Sequence, residues 1–248
     1  MAWHGRTVDS EAKLLLALET TAMCGSVALV AQGLCVGEYS LQAKGTHSRR
    51  LLTAVEWLMD QARCDWSLIC GIAVSLGPGS FTGLRIGMST AQGLAMAADK
   101  PLLGVPTLDA IAAQFSHLGG QPLCVVVDAR KKEVYTAFYR CLPDSTVQRI
   151  SDYLVLAPEE LARRISVPTV MVGDGVALYG ELFRELLGDK ALLITSSCHF
   201  PRAAAVGMLA WPLFHRREFL DATTAVPIYV RASDAELNFI PPQPRNQA

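Results

Sequence analysis

One short pattern occurs twice in this chain and constrains its fold more than any other feature. Residues 14–18 form an apolar run that ends at Glu19, and a second apolar segment, residues 26–30, follows after a polar turn. Residues 123–127 form a similar run that ends at Asp128, again followed by an apolar return segment. Short apolar runs separated by turn residues predict antiparallel strands. The sequence therefore predicts an α/β fold of two similar halves, each a mixed sheet with flanking helices.

The duplication also predicts how the chain is divided. We expect an N-terminal extension, a first half, a second half and a polar, proline-containing C-terminal tail, over residues 1–12, 13–105, 106–232 and 233–248.

Helix signals are present in both halves. Thr46 is the expected cap of a helix over residues 47–62, and a second helix is predicted over residues 82–98. Thr107 is the expected cap of the first helix in the second half. Pro158 begins a later helix, because proline is favoured at the first helical position.

Composition narrows the functional classes. The 248 residues are 51% hydrophobic and 18% charged, with a net charge of −1, which argues against a disordered chain and a uniformly basic nucleic-acid binder. The longest uncharged stretch is interrupted by glycine and proline, so no membrane-spanning helix is predicted. The seven cysteines include no C-x-x-C pair, and the five histidines lack ligand spacing. We therefore expect buried free thiols in a reducing cytoplasm and no metal site.

The most distinctive segment is residues 77–87, which read Gly-Pro-Gly-Ser-Phe-Thr-Gly-Leu-Arg-Ile-Gly. A helix that begins after such a turn can hold an anion, but the spacing departs from the dinucleotide fingerprint and lacks the lysine of a P-loop. Small residues then recur at every fourth position, at Gly83, Gly87 and Ala91. Because glycine destabilises a helix interior, this bare face indicates close approach of another backbone. That backbone belongs either to this chain or to another subunit.

The helix over residues 47–62 has an apolar arc and a charged arc. At 100° per residue, one side carries the apolar residues Ala54, Leu58, Leu51, Val55, Met59 and Leu52. Trp57 falls inside the charged arc. A tryptophan flanked by charged residues is typical of an interface anchor, and a lone exposed aromatic is the alternative interpretation.

Three basic clusters interrupt the otherwise balanced charge. They are Arg49-Arg50, Arg130-Lys131-Lys132 and Arg216-Arg217. Solvated surface is the ordinary role of such clusters, and contact with a phosphate is the alternative.

Five segments together resemble one protein family. Residues 46–52, 77–87, 127–135, 173–175 and 227–231 are similar to the TsaB (YeaZ) family of bacterial proteins. The resemblance implies a duplicated actin-like fold, of the ASKHA and ribonuclease H-like type. It also implies a cytoplasmic, non-catalytic scaffold or activator of the complex that installs N6-threonylcarbamoyladenosine at position 37 of tRNA.

The resemblance also implies the partners. The chain is expected to pair with the catalytic subunit TsaD and with the ATPase TsaE, to form a homodimer when alone, and to reach tRNA through the complex. ATP and a metal ion are used by that complex, and no cofactor is expected on this chain alone. Membrane association is not expected.

The family's nucleotide cleft maps onto a few positions of this chain. Glu19, Thr20, Asp128, Gly173 and Gly175 are the possible vestigial nucleotide contacts, although the family usually has aspartate where this chain has Glu19.

No catalytic residue is predicted. TsaD-like enzymes hold a metal with two histidines one helical turn apart, whereas His47 has Leu51 at that spacing. An actin-like ATPase and a glycoprotease-like metallohydrolase remain the alternative functions.

The two first-half helices are the expected partner interface. Residues 47–62 and 82–98 are predicted to lie side by side and to meet the same helices of a second copy or of TsaD. The residues expected there are Leu51, Val55, Trp57, Leu58, Gly83, Gly87 and Ala91.

Overall fold

A computed structural model describes residues 13–42, 47–194 and 200–231 of the chain. The first half begins with a three-stranded meander and continues with alternating helices and strands. Its elements are β1 (Leu14–Glu19), β2 (Cys24–Ala31), β3 (Leu34–Gln42), α1 (His47–Gln61), β4 (Ile69–Ser75), α2 (Phe81–Ala97) and β5 (Leu102–Val105).

The second half repeats this plan with one additional strand. Its elements are α3 (Thr107–Ala113), β6 (Pro122–Arg130), β7 (Glu133–Cys141), β8 (Val147–Arg149), β9 (Leu154–Leu156), α4 (Pro158–Arg163), β10 (Thr169–Val172), α5 (Asp174–Leu187), β11 (Ala191–Leu193) and α6 (Ala203–Arg216).

The two sheets have the same strand order, which confirms the duplicated actin-like fold. The first sheet runs β3-β2-β1-β4-β5, and the second runs β8-β7-β6-β10-β11 with β9 added beside β7. In both sheets the first three strands are antiparallel and the last two are parallel to the central one. All six residues of β1 are buried, as expected for a strand covered on both faces.

Helices cover both faces of each sheet. On the first sheet, α1 and α2 lie side by side on one face, as predicted, and α6 covers the other face. On the second sheet, α4 and α5 cover one face and α3 the other. Because α3 also contacts α6, these two helices lie between the sheets. The strands of the first sheet end at Val105 and those of the second begin at Pro122, whereas α6, which follows the second sheet in the chain, packs on the first sheet.

Two local predictions are wrong. Thr107 is not a cap: Pro106 is the cap residue of α3, and the Thr107 hydroxyl accepts a hydrogen bond from the Gly77 N–H. Leu52, placed in the apolar arc of α1, is 47% exposed, because the stripe of α1 that packs on the first sheet is narrower than the predicted arc and does not include Leu52. Pro158 does begin α4.

Other predictions lie outside the described residues. These are the cap at Thr46, the extension over 1–12 and the tail over 233–248. Within the described part of the chain, no helix combines the length and the apolar character needed to cross a bilayer. Six cysteines are free thiols there; Cys64, Cys124 and Cys141 are buried as expected, whereas Cys35 is exposed.

Candidate functional site: the cleft between the two halves

A cleft of about 790 Å³ lies between the two halves of the molecule. The β1–β2 turn and the start of α2 line it from the first half, through residues such as Thr21 and Ser80. The β6–β7 hairpin and the start of α5 line it from the second half, through Asp128 and Asp174. Arg231, at the end of the described chain, also faces this space. The two similar hairpins therefore face each other across this cleft.

Glu19 does not reach the cleft, and the expectation of a nucleotide contact at this residue is wrong. Its side chain is fully buried at the end of β1. One carboxylate oxygen accepts hydrogen bonds from the N–H of Thr21, at 2.5 Å, and from the hydroxyl of Thr21, at 2.6 Å. The other oxygen accepts a hydrogen bond from the Ser75 hydroxyl. Desolvation of the carboxylate raises the pKa of Glu19 to about 7.

Thr20 is likewise a structural residue and not a nucleotide contact. Its side chain is 2% exposed, and its hydroxyl donates a hydrogen bond of 2.7 Å to the carbonyl oxygen of Gly83. A Cβ placed on Gly83 would lie 2.0 Å from the Thr20 carbonyl oxygen, and one on Gly87 would lie 2.3 Å from the Thr20 hydroxyl oxygen. Gly83 and Gly87 therefore allow the β1–β2 turn of the same chain to pack closely against α2.

This finding corrects part of the predicted partner interface. Gly83, Gly87 and Ala91 face the interior of their own half, and Ala91 is fully buried. The α1 residues assigned to the interface, Leu51, Val55 and Leu58, are at most 5% exposed, because they pack in the core under the first sheet. A partner cannot bury side chains that the chain already buries.

Trp57 is the one residue of the predicted interface set that lies at the surface. It is 49% exposed, and its ring packs on Tyr39 of β3 with the ring centroids 5.2 Å apart. Its role as an interface anchor stays a prediction.

Asp128 lies at the cleft, where its role as a nucleotide contact stays a prediction, and it is held by several contacts. Its Oδ1 accepts a hydrogen bond of 2.9 Å from the N–H of Arg130, and its Oδ2 lies 3.1 Å from the Arg130 guanidinium. The N–H of Asp128 donates a 2.9 Å hydrogen bond to Asp174. Burial raises the pKa of the Asp174 carboxyl above its ordinary value. The sequence prediction missed Asp174 as a cleft residue, although it lies between the two glycines that were singled out.

Gly173 and Gly175 serve packing at the start of α5. A Cβ on Gly173 would lie 2.2 Å from the carbonyl oxygen of Val126, and one on Gly175 would lie 3.0 Å from the same atom. Gly173 also has a φ of +111°, which side chains rarely tolerate. The two glycines therefore let α5 approach β6, and their expected contact with a nucleotide has no support in this geometry.

The segment after α6 joins the two halves at the cleft. Its Ile228 N–H donates a 2.7 Å hydrogen bond to Leu76 of the first half, and Arg231 forms an ion pair of 2.8 Å with Glu133 of the second half. Tyr229 packs on Phe81, with ring centroids 5.6 Å apart, at the start of α2. The sequence marked residues 227–231 only as a family motif, because nothing local shows that they lie beside residue 77.

The cleft does not fit a metal-bound phosphate at the first hairpin. The carboxylate of Glu19 has both oxygens occupied and lies below the surface. Among the residues that the structure describes, no group of three or more His, Cys, Asp or Glu side chains is placed to hold a metal ion. Of the carboxylates that face the cleft, Asp174 accepts a hydrogen bond from the backbone N–H of Asp128, and Asp128 forms an ion pair with Arg130.

Comparison with known proteins gives a consistent result. Residues 41–239 match the family model described as TsaD, tRNA N6-adenosine threonylcarbamoyltransferase. The chain is 29% identical over 231 residues to the tRNA threonylcarbamoyladenosine biosynthesis protein TsaB of Bacillus subtilis, covering 92% of this chain and 99% of that protein. It is 31% identical to TsaB of Escherichia coli, over 88% of this chain and 94% of that protein.

A solved structure has the same fold over most of this chain. The structure described as YeaZ from Pseudomonas aeruginosa superposes with a TM-score of 0.73 at 31% identity, covering 88% of this chain and 99% of that one.

Proposed function

This chain belongs to the TsaB (YeaZ) family, and from that premise we propose that it takes part in making N6-threonylcarbamoyladenosine in tRNA. Its role is that of a cytoplasmic scaffold or activator subunit. It pairs with the catalytic subunit TsaD and with the ATPase TsaE, and the assembled complex uses ATP and a metal ion and acts on tRNA. Without TsaD the chain forms a homodimer.

A non-catalytic role is supported by the arrangement of the acidic residues that lie in the cleft and beneath its first hairpin. Glu19 is buried beneath Thr21, and Asp128 is paired with Arg130. Because a general base or metal ligand needs a carboxylate that can reach the reacting group, these contacts favour a structural role for both residues. The transferase chemistry then belongs to TsaD.

The outer surface of α1 and α2 is the proposed contact with TsaD or with a second copy. Leu52 of α1 is 47% exposed and Met96 of α2 is 62% exposed. Both helices already bury their inner faces on the first sheet, so these side chains have no role in that core. Gly93, on the same exposed side of α2 as Met96, has nothing within 4 Å of an added Cβ, which leaves room for a partner backbone.

The observation that carries this interface is the exposure of Leu52 on a helix whose other large aliphatic residues are buried. The test is to measure binding of the full chain to its TsaD by isothermal titration, with Leu52→Glu and Met96→Glu made separately. We expect each variant to weaken binding at least tenfold, because the new carboxylate loses its water at the interface. Leu186→Glu is the matched control, since Leu186 is 50% exposed on α5 of the other half.

Reconstitution with TsaD, TsaE and tRNA provides the functional readout. The wild-type chain and Leu186→Glu should support formation of the modified nucleoside, and the two interface variants should lose that support in proportion to their lost binding. Equal binding by all four proteins would refute this interface. Failure of the wild-type chain to stimulate modification at all would refute the proposed function.

A further inference from the structure

The turn between β6 and β7 has an unusual backbone for its residues. Arg130, Lys131 and Lys132 have φ values of +62°, +52° and +61°. Non-glycine residues seldom adopt this left-handed region, and asparagine and aspartate are the side chains that do so most readily. No other described part of the chain has three consecutive non-glycine residues with positive φ.

The pairing of the strands identifies the turn type. Arg130 pairs with Glu133, so Lys131 and Lys132 are the two central residues of a two-residue hairpin. Positive φ at both central positions is the type I′ geometry, for which Asn-Gly is preferred. Lysine is therefore an unfavourable residue for the backbone at both central positions of this turn.

A second hairpin in the same chain shows the ordinary solution. Ala31 pairs with Leu34, and the central residues Gln32 and Gly33 have φ values of +51° and +74°. Glycine occupies the second central position there, whereas Lys132 occupies it in the β6–β7 turn. Both hairpins have positive φ at their two central residues. They differ in the side chains at those positions, which are uncharged in the first hairpin and positively charged in the second.

Contacts around the turn maintain its shape at the edge of the cleft. Asp128 accepts a hydrogen bond from the Arg130 N–H and pairs with the Arg130 guanidinium. The side chains of residues 130–132 remain exposed, with Arg130 at 78%. Strained residues that the surrounding structure holds in place are concentrated at functional sites.

The chemistry of the turn favours a polyanion over a folded protein. Lysine is depleted in protein interfaces, whereas lysine and arginine contacts to backbone phosphates supply much of the affinity for nucleic acids. Two arginines also lie at the turn, each in an ion pair with a carboxylate: Arg231 with Glu133 and Arg130 with Asp128. The two lysines at the tip therefore supply the excess of positive charge. The whole chain has a net charge of −1, so this concentration of basic residues is local.

We propose that residues 130–132 form a contact surface of this chain for the phosphate backbone of RNA. The inference rests on the proposed function only in taking tRNA as the RNA. The contact is electrostatic and independent of base sequence, and it orients the RNA on the complex without taking part in the chemistry.

The test replaces the two central residues by the pair that the turn prefers, Lys131→Asn with Lys132→Gly. This variant removes two charges while keeping the hairpin. Binding of a fluorescein-labelled tRNA transcript is measured by anisotropy over a range of salt concentrations, with the full chain alone and with the chain bound to TsaD. We expect about tenfold weaker binding at low salt and a slope of log K against log salt that is smaller by about 2.

The matched control is Arg163→Ala with Lys190→Ala, which removes two exposed positive charges from the same half of the molecule. The control should bind tRNA as the wild-type chain does. Equal weakening in control and variant would mean that only total charge matters and would overturn the proposal, as would unchanged binding by the variant. Weakened binding to TsaD with unchanged tRNA affinity would assign the turn to a protein contact instead.

The outcome is separable from the proposed function. Pairing with TsaD is scored by size-exclusion chromatography before RNA is added, so a failure to assemble is seen independently of RNA affinity. If the chain does not assemble with TsaD, the tRNA titration of the chain alone still tests whether residues 130–132 contact RNA.

Discussion

The hydroxyl of Ser75 donates a hydrogen bond to the buried carboxylate of Glu19, and this contact joins the adjacent ends of β4 and β1. The same carboxylate holds Thr21, whose backbone carbonyl accepts a 2.8 Å hydrogen bond from the N–H of Ser80 at the start of α2. Glu19 is therefore the residue on which the first hairpin of the cleft is assembled. Burial raises its pKa from 4.5 to about 7, so the carboxyl gains its charge in the folded protein only near neutral pH.

This raised pKa predicts how stability depends on pH. Between pH 4.5 and 7 the folded chain retains a proton on Glu19 that the unfolded chain has lost, so the contribution of Glu19 to stability falls as pH rises through this window and levels off above it. As the pH rises from 4.5 to 8, we expect the free energy of unfolding of the wild-type chain to fall by about 2–3 kcal/mol more than that of Glu19→Gln, whose amide does not titrate. Urea denaturation of both proteins from pH 4.5 to 8 measures this difference. Parallel curves would show that Glu19 has an ordinary pKa.

Two glycines of α2 are expected to respond to alanine in opposite directions. In Gly83→Ala the new methyl group would lie 2.0 Å from the Thr20 carbonyl oxygen, so the β1–β2 turn must shift, and we expect a loss of about 1–3 kcal/mol in the free energy of unfolding. In Gly93→Ala the methyl group meets nothing within 4 Å, and we expect a gain of about 0.5–1 kcal/mol from helix propensity. Chemical denaturation of the pair gives both values, and a similar effect at the two sites would contradict the packing described.

The double substitution in the β6–β7 turn is expected to change stability and RNA binding in opposite directions. Lys131→Asn with Lys132→Gly places the preferred pair in a type I′ turn, so we expect the free energy of unfolding to rise by about 1–2 kcal/mol. Thermal and urea unfolding measure this change beside the tRNA titration. The variant should thus be more stable than the wild-type chain while binding RNA less tightly. Unchanged or reduced stability would show that the lysines impose no strain on the turn.

Asp109 of α3 joins that helix to the second sheet. It accepts hydrogen bonds of 2.8 Å from the hydroxyls of Tyr139 and Tyr153, and the Tyr139 side chain is 1% exposed. Asp109→Ala leaves the buried Tyr139 hydroxyl without its acceptor, so we expect a loss of about 1–3 kcal/mol in the free energy of unfolding. Tyr153→Phe is the milder comparison, with about 1 kcal/mol expected, because it removes one donor and leaves Asp109 bound to Tyr139. Equal losses in the two variants would contradict the assignment of a buried unsatisfied hydroxyl.

The sequence by itself determined the duplicated fold and most of its elements. The apolar runs that end at Glu19 and Asp128 become β1 and β6, and the sheets around them have the same strand order. Pro158 begins α4, and the helical period of α1 places Leu51, Val55 and Leu58 in one apolar arc, which the structure buries in the core of its own half and not at the predicted partner interface. Such features are readable because they depend on neighbours within a few residues or on a regular period.

Only the tertiary structure decided what covers each buried surface. The bare face of α2 meets Thr20, 63 residues away from Gly83, and not another subunit. Glu19 turns under its own hairpin because Ser75, on the neighbouring strand, supplies a hydroxyl there. The helix α6 crosses to the first sheet, and Arg231 returns to the second half beside Glu133. These contacts join residues far apart in the chain. A local sequence pattern can show that a surface must be buried, but it cannot show which distant residue buries it.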